Sequence, residues 1–172
     1  MNPELKTIFE RRSIRAYEGR GIEDSVVGDL LEAAMAAPSA CAKDPWHIIV
    51  VKDRDLLLRI AEGLPNGKML GTAAVGLVVC GDIGRAHDNQ VSYMLQDCSA
   101  AIENILLAAT SLGLGACWLG VHPREERIAH IRELLAIPDG IIPVSAIAVG
   151  WPADKPSART RYDEAKVHWE QW

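Results

Sequence analysis

Arg11, Arg12, Ser13 and Arg15 place three guanidiniums and a hydroxyl within five residues of a 172-residue chain whose net charge is −5. In an extended segment side chains alternate sides, so Arg11, Ser13 and Arg15 share one face and Arg12 joins Ile14 on the other. Such a row suits a phosphate, because guanidinium forks bind its oxygens bidentately and a serine hydroxyl adds a donor. A solvated basic strip has the same composition. A second basic group, Lys155, Arg159 and Arg161, lies near the opposite end. A small phosphorylated ligand held by both clusters would draw the two ends together.

Other chemistries find little support in the residues. The acidic net charge argues against nucleic acid as a partner, since such proteins present a broad basic face. The five histidines are scattered, and neither a His-Glu-x-x-His nor a Gly-x-Ser-x-Gly motif occurs. Gly113-Leu114-Gly115 lacks the third glycine of a dinucleotide fingerprint, and Gly67-Lys68 lacks the flanking residues of a P-loop. The four cysteines show no metal-ligand spacing and read as reduced thiols, with Cys80, Cys98 and Cys117 in the core. Cys41 either lines a pocket or is a small buried residue. No metal site is expected. An enzyme without an evident nucleophile or metal takes its chemistry from an organic cofactor.

The elements that must position these residues follow from periodicity. Asn2-Pro3 caps a short helix to about Arg11. Val26, Val27, Leu30, Leu31, Ala34 and Met35 predict a helix over 24–37, ended by Pro38. Trp46–Val51 reads as a strand and 53–62 as a helix; 73–80 is a second strand, closed by the turn at 81–84. The stretch 85–90 is a lid or a plain loop. A long apolar helix over 93–112 ends at Gly113, followed by a strand at 115–121, a helix opened by Pro123 to Leu135, and a last strand at 141–150. The expectation is one domain over residues 1–172, with a core to 150 and an arm from 151. Trp169 and Trp172 give that arm an apolar end that must pack on something, such as another subunit. No apolar run approaches the roughly 20 residues that span a bilayer. The absence of a secretory pattern predicts a cytoplasmic protein without membrane contact.

Four segments in order resemble the FMN-dependent nitroreductase family. Arg11–Tyr17 looks like its opening motif. Ala37-Pro38-Ser39-Ala40 with Pro45-Trp46-His47 resembles the second, and Gln96-Asp97 through Asn104 to Gly115, then Trp118-Leu119-Gly120, the third. Gly150-Trp151-Pro152 with Arg159-Thr160-Arg161-Tyr162 and Val167-His168-Trp169 resembles the closing arm. The resemblance implies an α+β, three-layer α-β-α fold around a mostly antiparallel sheet, in a homodimer with arms exchanged and FMN at the interface. It implies that Arg11, Arg12, Ser13 and Arg15 hold the phosphate and ribityl chain, joined by Arg159 and Arg161. Pro38, Ser39 and Ala40 would lie against the flavin from the second subunit. Asn66 and Lys68 would sit near the pyrimidine, where Lys68 is otherwise a surface lysine, and Trp118, Leu119 and Gly120 would offer backbone near N5. The implied reaction is ping-pong: NADH or NADPH reduces the flavin, which reduces a nitroaromatic or quinone without a catalytic side chain. Ene reduction, dehydrogenation, dehalogenation, flavin breakdown and non-catalytic flavin binding are the alternatives. The chain departs from the family's Pro-Ser-x-x-Asn-x-Gln-Pro-Trp at Ala42 and Asp44.

Overall fold

The computed structural model describes residues 2–172. Its helices are α1 (Lys6–Glu10, preceded by a 3-10 turn at Pro3–Leu5), α2 (Asp24–Met35), α3 (Arg54–Glu62), α4 (Val91–Ser111) and α5 (Glu125–Leu135). Its strands are β1 (Trp46–Val51), β2 (Val75–Asp82), β3 (Gly115–Gly120) and β4 (Ile141–Gly150). The sheet runs in the order β1-β2-β4-β3, and every neighbouring pair is antiparallel.

Alternation along β2 and β4 divides the core into two layers. Val75, Leu77 and Val79 join Ile147 and Val149 against α2 and α4. Val78 and Cys80 join Ala146 and Ala148 on the other face, against α3 and α5. A register shift between Val79 and Cys80 leaves Val144 as an extra residue of β4, and its carbonyl accepts the amides of Val121 and His122. The result is the three-layer α-β-α arrangement. The long helix α4 is apolar enough to bury Met94, Cys98, Ala101, Ile102, Ile105 and Ala109 completely. No described helix is long and apolar enough to cross a membrane.

Several helix limits differ from the expected ones: α4 starts two residues early, at Val91, and the end of α2 and the start of α5 have local causes. α2 stops at Met35, with the amides of Ala36 and Ala37 turning back to Ala33 and Ala34, because the residue before Pro38 is pushed out of helical geometry. The His122–Pro123 peptide is cis, and α5 begins at Glu125 rather than at the proline. The stretch 85–90 is a loop tied to the body. Asp82 Oδ1 accepts the amides of Gly84 and Arg85, Ala86 is buried, and the His87 ring packs edge-on against Tyr93.

Candidate functional site

The arginine segment runs extended along the free edge of β3. Ser13 bridges Ala116 in parallel, and the Ile14 amide donates to the Ala116 carbonyl at 3.0 Å. Ile14 is the buried anchor of this contact, and Gly115 makes room for it: a Cβ at Gly115 would lie 2.7 Å from the Ile14 side chain. Further along, the Tyr17 hydroxyl donates to the carbonyls of Ile14 and Ala148, at 2.7 and 3.1 Å. Burial raises the Tyr17 pKa, assisted by Cys117 and opposed by Arg15, so the phenol keeps its donor proton. Its ring packs over Gly150, where a Cβ would meet it at 2.8 Å.

This anchoring aims Arg11, Ser13 and Arg15 into a cavity of about 420 Å³ that Ile8, Arg12, Arg159 and Arg161 also line. Arg12 departs from strict alternation. It borders a neighbouring cavity with Ile14, but its guanidinium also reaches the first one and donates to the Ser157 carbonyl. The arm is pinned there as well, since the Arg159 amide donates to the Phe9 carbonyl at 3.2 Å. Both ends of the chain therefore meet in one basic cradle. Glu103 approaches Arg11 at 3.3 Å, while the Arg12 and Arg161 charges, with some desolvation, lower the pKa of Arg159. That crowding is what a bound multivalent anion would relieve.

Arg15 also lines a second cavity, of about 640 Å³, with Leu64, Asn66, Lys68, Trp118, Gly120 and Arg127 among its walls. Because the Ala116 carbonyl points outward to Ile14, the backbone of Trp118 and Gly120 faces the same open edge. Leu119 turns its side chain into the core and, by the same alternation, directs its amide and carbonyl to β4, so it borders the cavity without offering a hydrogen-bonding group at the open edge. A Cβ at Gly120 would meet nothing within 4 Å, so the space beside that backbone is open to a ligand. A polyanion cradle adjoining a slot with a free strand edge and amide and ammonium donors fits a phosphorylated planar cofactor.

Pro38, Ser39 and Ala40 do not border either cavity. They stand at the end of α2, where buried Asp97 accepts the Ala40 amide at 2.9 Å. Cys41, in the same loop, is exposed rather than buried, with its sulfur 4.0 Å from His87 Nε2. Cys80, Cys98 and Cys117 are buried core thiols. No group of three or more potential metal ligands occurs among the described residues.

The Nitroreductase family model matches residues 8–64 and 61–151, covering the arginine segment, both cavity walls supplied by the core, and all four strands. This chain belongs to the nitroreductase family. A protein of Archaeoglobus fulgidus, provisionally named an NADH dehydrogenase/NAD(P)H nitroreductase, is 46% identical over 171 residues, 98% of each chain. A structure from Parabacteroides distasonis bearing the same provisional name superposes with a TM-score of 0.93 at 41% identity, covering 100% of both chains. A provisionally named nitroreductase of Desulfovibrio desulfuricans, solved in complex with FMN, gives a TM-score of 0.85 at 32% identity, covering 100% of this chain and 99% of its own.

Within this nitroreductase, the lining residues that sequence patterns did not assign to the site include Arg127, Cys117 and the apolar Ile8, Leu64, Pro65 and Met69. Arg127 lies in the first turn of α5, one turn before buried Ile131; in the sequence it reads as a solvated charge, and only the fold brings it back to β3. Cys117 was recognisable as core but not as a cavity wall. Burial raises its thiol pKa, with Arg15 opposing.

Proposed function

We propose that this nitroreductase binds FMN and transfers reducing equivalents from NADH or NADPH to an electron-poor acceptor such as a nitroaromatic or a quinone. The observation that carries the reading is that Arg15 lines both cavities, so that the basic cradle and the larger slot are neighbours. Arg11, Arg12, Ser13, Arg15, Arg159 and Arg161 would hold the phosphate and the adjoining chain, through charge-assisted hydrogen bonds from both ends of the sequence. Asn66 and Lys68 would address the pyrimidine edge, and a cation there favours acceptance of a hydride. The backbone of Trp118 and Gly120 would face the opposite edge.

When bound, FMN supplies the hydride-accepting and hydride-donating chemistry. The chain's part is to orient and to set charge. Arg15 lines both cavities and would hold the phosphate end of the cofactor beside the slot for its ring. The open space at Gly120 lets backbone approach closely. No acid or base side chain is assigned, so the proton needed by the acceptor comes from solvent.

Pro38, Ser39 and Ala40 reach neither cavity of their own chain, which supports a homodimer in which they cover the partner's flavin. The exposed Tyr162, Trp169 and Trp172 support an arm that packs on that partner. An absorbance spectrum of purified protein, taken before and after anaerobic NADH or NADPH, tests the reading. Flavin bands that bleach are expected. A protein that takes up no added FMN would refute it.

A further inference from the structure

The larger cavity carries more positive charge than the proposed flavin contacts use. Arg15, Lys68 and Arg127 line it, with no aspartate or glutamate among the lining residues. Among the described residues neither Lys68 nor Arg127 lies within 4.0 Å of a carboxylate. Arg15 and Lys68 are given to FMN in the reading above, on which this inference rests; Arg127 is left over.

Its geometry is that of a held donor. Arg127 Nη1 donates to the Gly120 carbonyl at 2.8 Å, which fixes the guanidinium against the last residue of β3. Its Nε is shielded from solvent and has no acceptor among the described residues. The shielded Nε is closed to a ligand, but the side chain is only half-buried and its remaining Nη hydrogens are unused among the described residues, so an oxyanion received there would offset the desolvation cost of the charge. The surrounding wall is apolar at Leu64, Pro65, Met69 and Trp118, which suits the body of a flat molecule and weakens solvent screening of the charge.

We propose that Arg127 is a specificity-determining residue that recognises an anionic group on the small molecule occupying this cavity. The oxyanion is a carboxylate on the aromatic acceptor or the phosphate beside the nicotinamide ring of the hydride donor. Arg127 thereby gives the enzyme a preference for anionic over neutral ligands of the same shape.

Calorimetric titration of the FMN-loaded protein compares ligand pairs that differ in charge. 4-Nitrobenzoate against 4-nitrobenzyl alcohol reports the acceptor, and 1,4,5,6-tetrahydronicotinamide mononucleotide against the corresponding uncharged riboside, a pair that cannot donate hydride to the flavin, reports the donor. In at least one pair the anion should bind roughly tenfold or more tightly, the scale of one charge-assisted hydrogen bond. Added salt should erode that advantage and leave the neutral ligand alone. Arg127→Gln should abolish it, with neutral binding within about twofold, and the pair affected identifies the source of the oxyanion. Equal affinities in both pairs, or an advantage that survives Arg127→Gln, would overturn the inference. Should Arg127→Gln not fold, Arg127→Met is read in its place, and equal affinities in both wild-type pairs overturn the inference without any variant. Should the protein take up no FMN, the proposed function fails, and the same titrations on the flavin-free protein still decide the role of Arg127.

Discussion

Replacing Gly115 with alanine tests whether the arginine row depends on its seat against β3. The added Cβ would lie 2.7 Å from both Cβ and Cγ2 of Ile14 and 2.9 Å from Cγ1. A rotamer change can move the outer atoms but not the Ile14 Cβ, so the backbone of the segment must shift. Overpacking of this kind costs about 1–3 kcal/mol. Losing the hydrogen bond from the Ile14 amide to the Ala116 carbonyl adds about 1 kcal/mol. A total near 2–4 kcal/mol should lower the urea midpoint by about 1 M or more, compared at one protein concentration because a dimer's stability depends on it. The same shift displaces Ser13 and Arg15, so FMN retention on dialysis should fall as well. A Gly115→Ala protein with the parental midpoint and parental flavin retention would show that the row is not held in this way.

Gly120→Ala should separate binding from folding: its Cβ meets nothing within 4 Å, so the flavin-free midpoint stays within about 0.5 kcal/mol while FMN affinity, followed by flavin fluorescence, drops. Arg15→Ala removes a charge-assisted contact and should weaken FMN by about 1.5–3 kcal/mol, roughly 10- to 150-fold in Kd by titration. Burial pushes the Cys98 thiol up to about 12, with Cys80 and Asp97 adding, from an ordinary 9.0. The folded protein therefore holds this proton more tightly than the unfolded chain. Its contribution is complete below pH 9 and lost progressively toward pH 12, so urea midpoints should fall over that window and fall less steeply in Cys98→Ala. Truncation after Arg161 keeps the basic cradle but removes Tyr162, Trp169 and Trp172, and should yield monomers in size-exclusion chromatography.

Periodicity made most of the fold legible. The strands at 46–51 and 141–150 have the limits expected of them, because runs dominated by β-branched and apolar residues leave little choice of state. Strand direction was not legible that way. Strands alternating with helices ordinarily suggest parallel pairing, and the antiparallel order came only from the family resemblance. In the site, Arg11, Arg12, Ser13 and Arg15 were visible because charge is conspicuous in an apolar, acidic chain. Arg159 and Arg161 were visible as a second cluster, and the fold supplied their meeting. Arg127 was illegible because its role depends on a return of α5 to the end of β3, which no local spacing encodes. Of the two readings of Cys41 the buried one fails: cysteines usually pack inside, but this one sits at φ 53° in a tight loop and is exposed.

That loop also bears on the departures at Ala42 and Asp44. Cys41, Ala42 and Asp44 all adopt left-handed backbone, a conformation that asparagine, aspartate and glycine tolerate better than alanine or cysteine. The strain is held by contacts of the loop itself. The Ser39 hydroxyl donates to Asp44 Oδ1 at 2.5 Å and accepts the Asp44 amide at 2.9 Å, closing a ring between the two ends of the turn. Asp97 fixes the middle through the Ala40 amide from a site 5% exposed, where its carboxylate has little freedom to move. Asp44 thus spends its carboxylate on shaping the loop. In a dimer the loop would present backbone and small side chains to the partner's cavity, where members with asparagine and glutamine present amides. In that arrangement the substitutions would remove polar contacts without removing the loop's shape, and the selection of ligands in that cavity would fall to Lys68, Arg127 and the edge of β3.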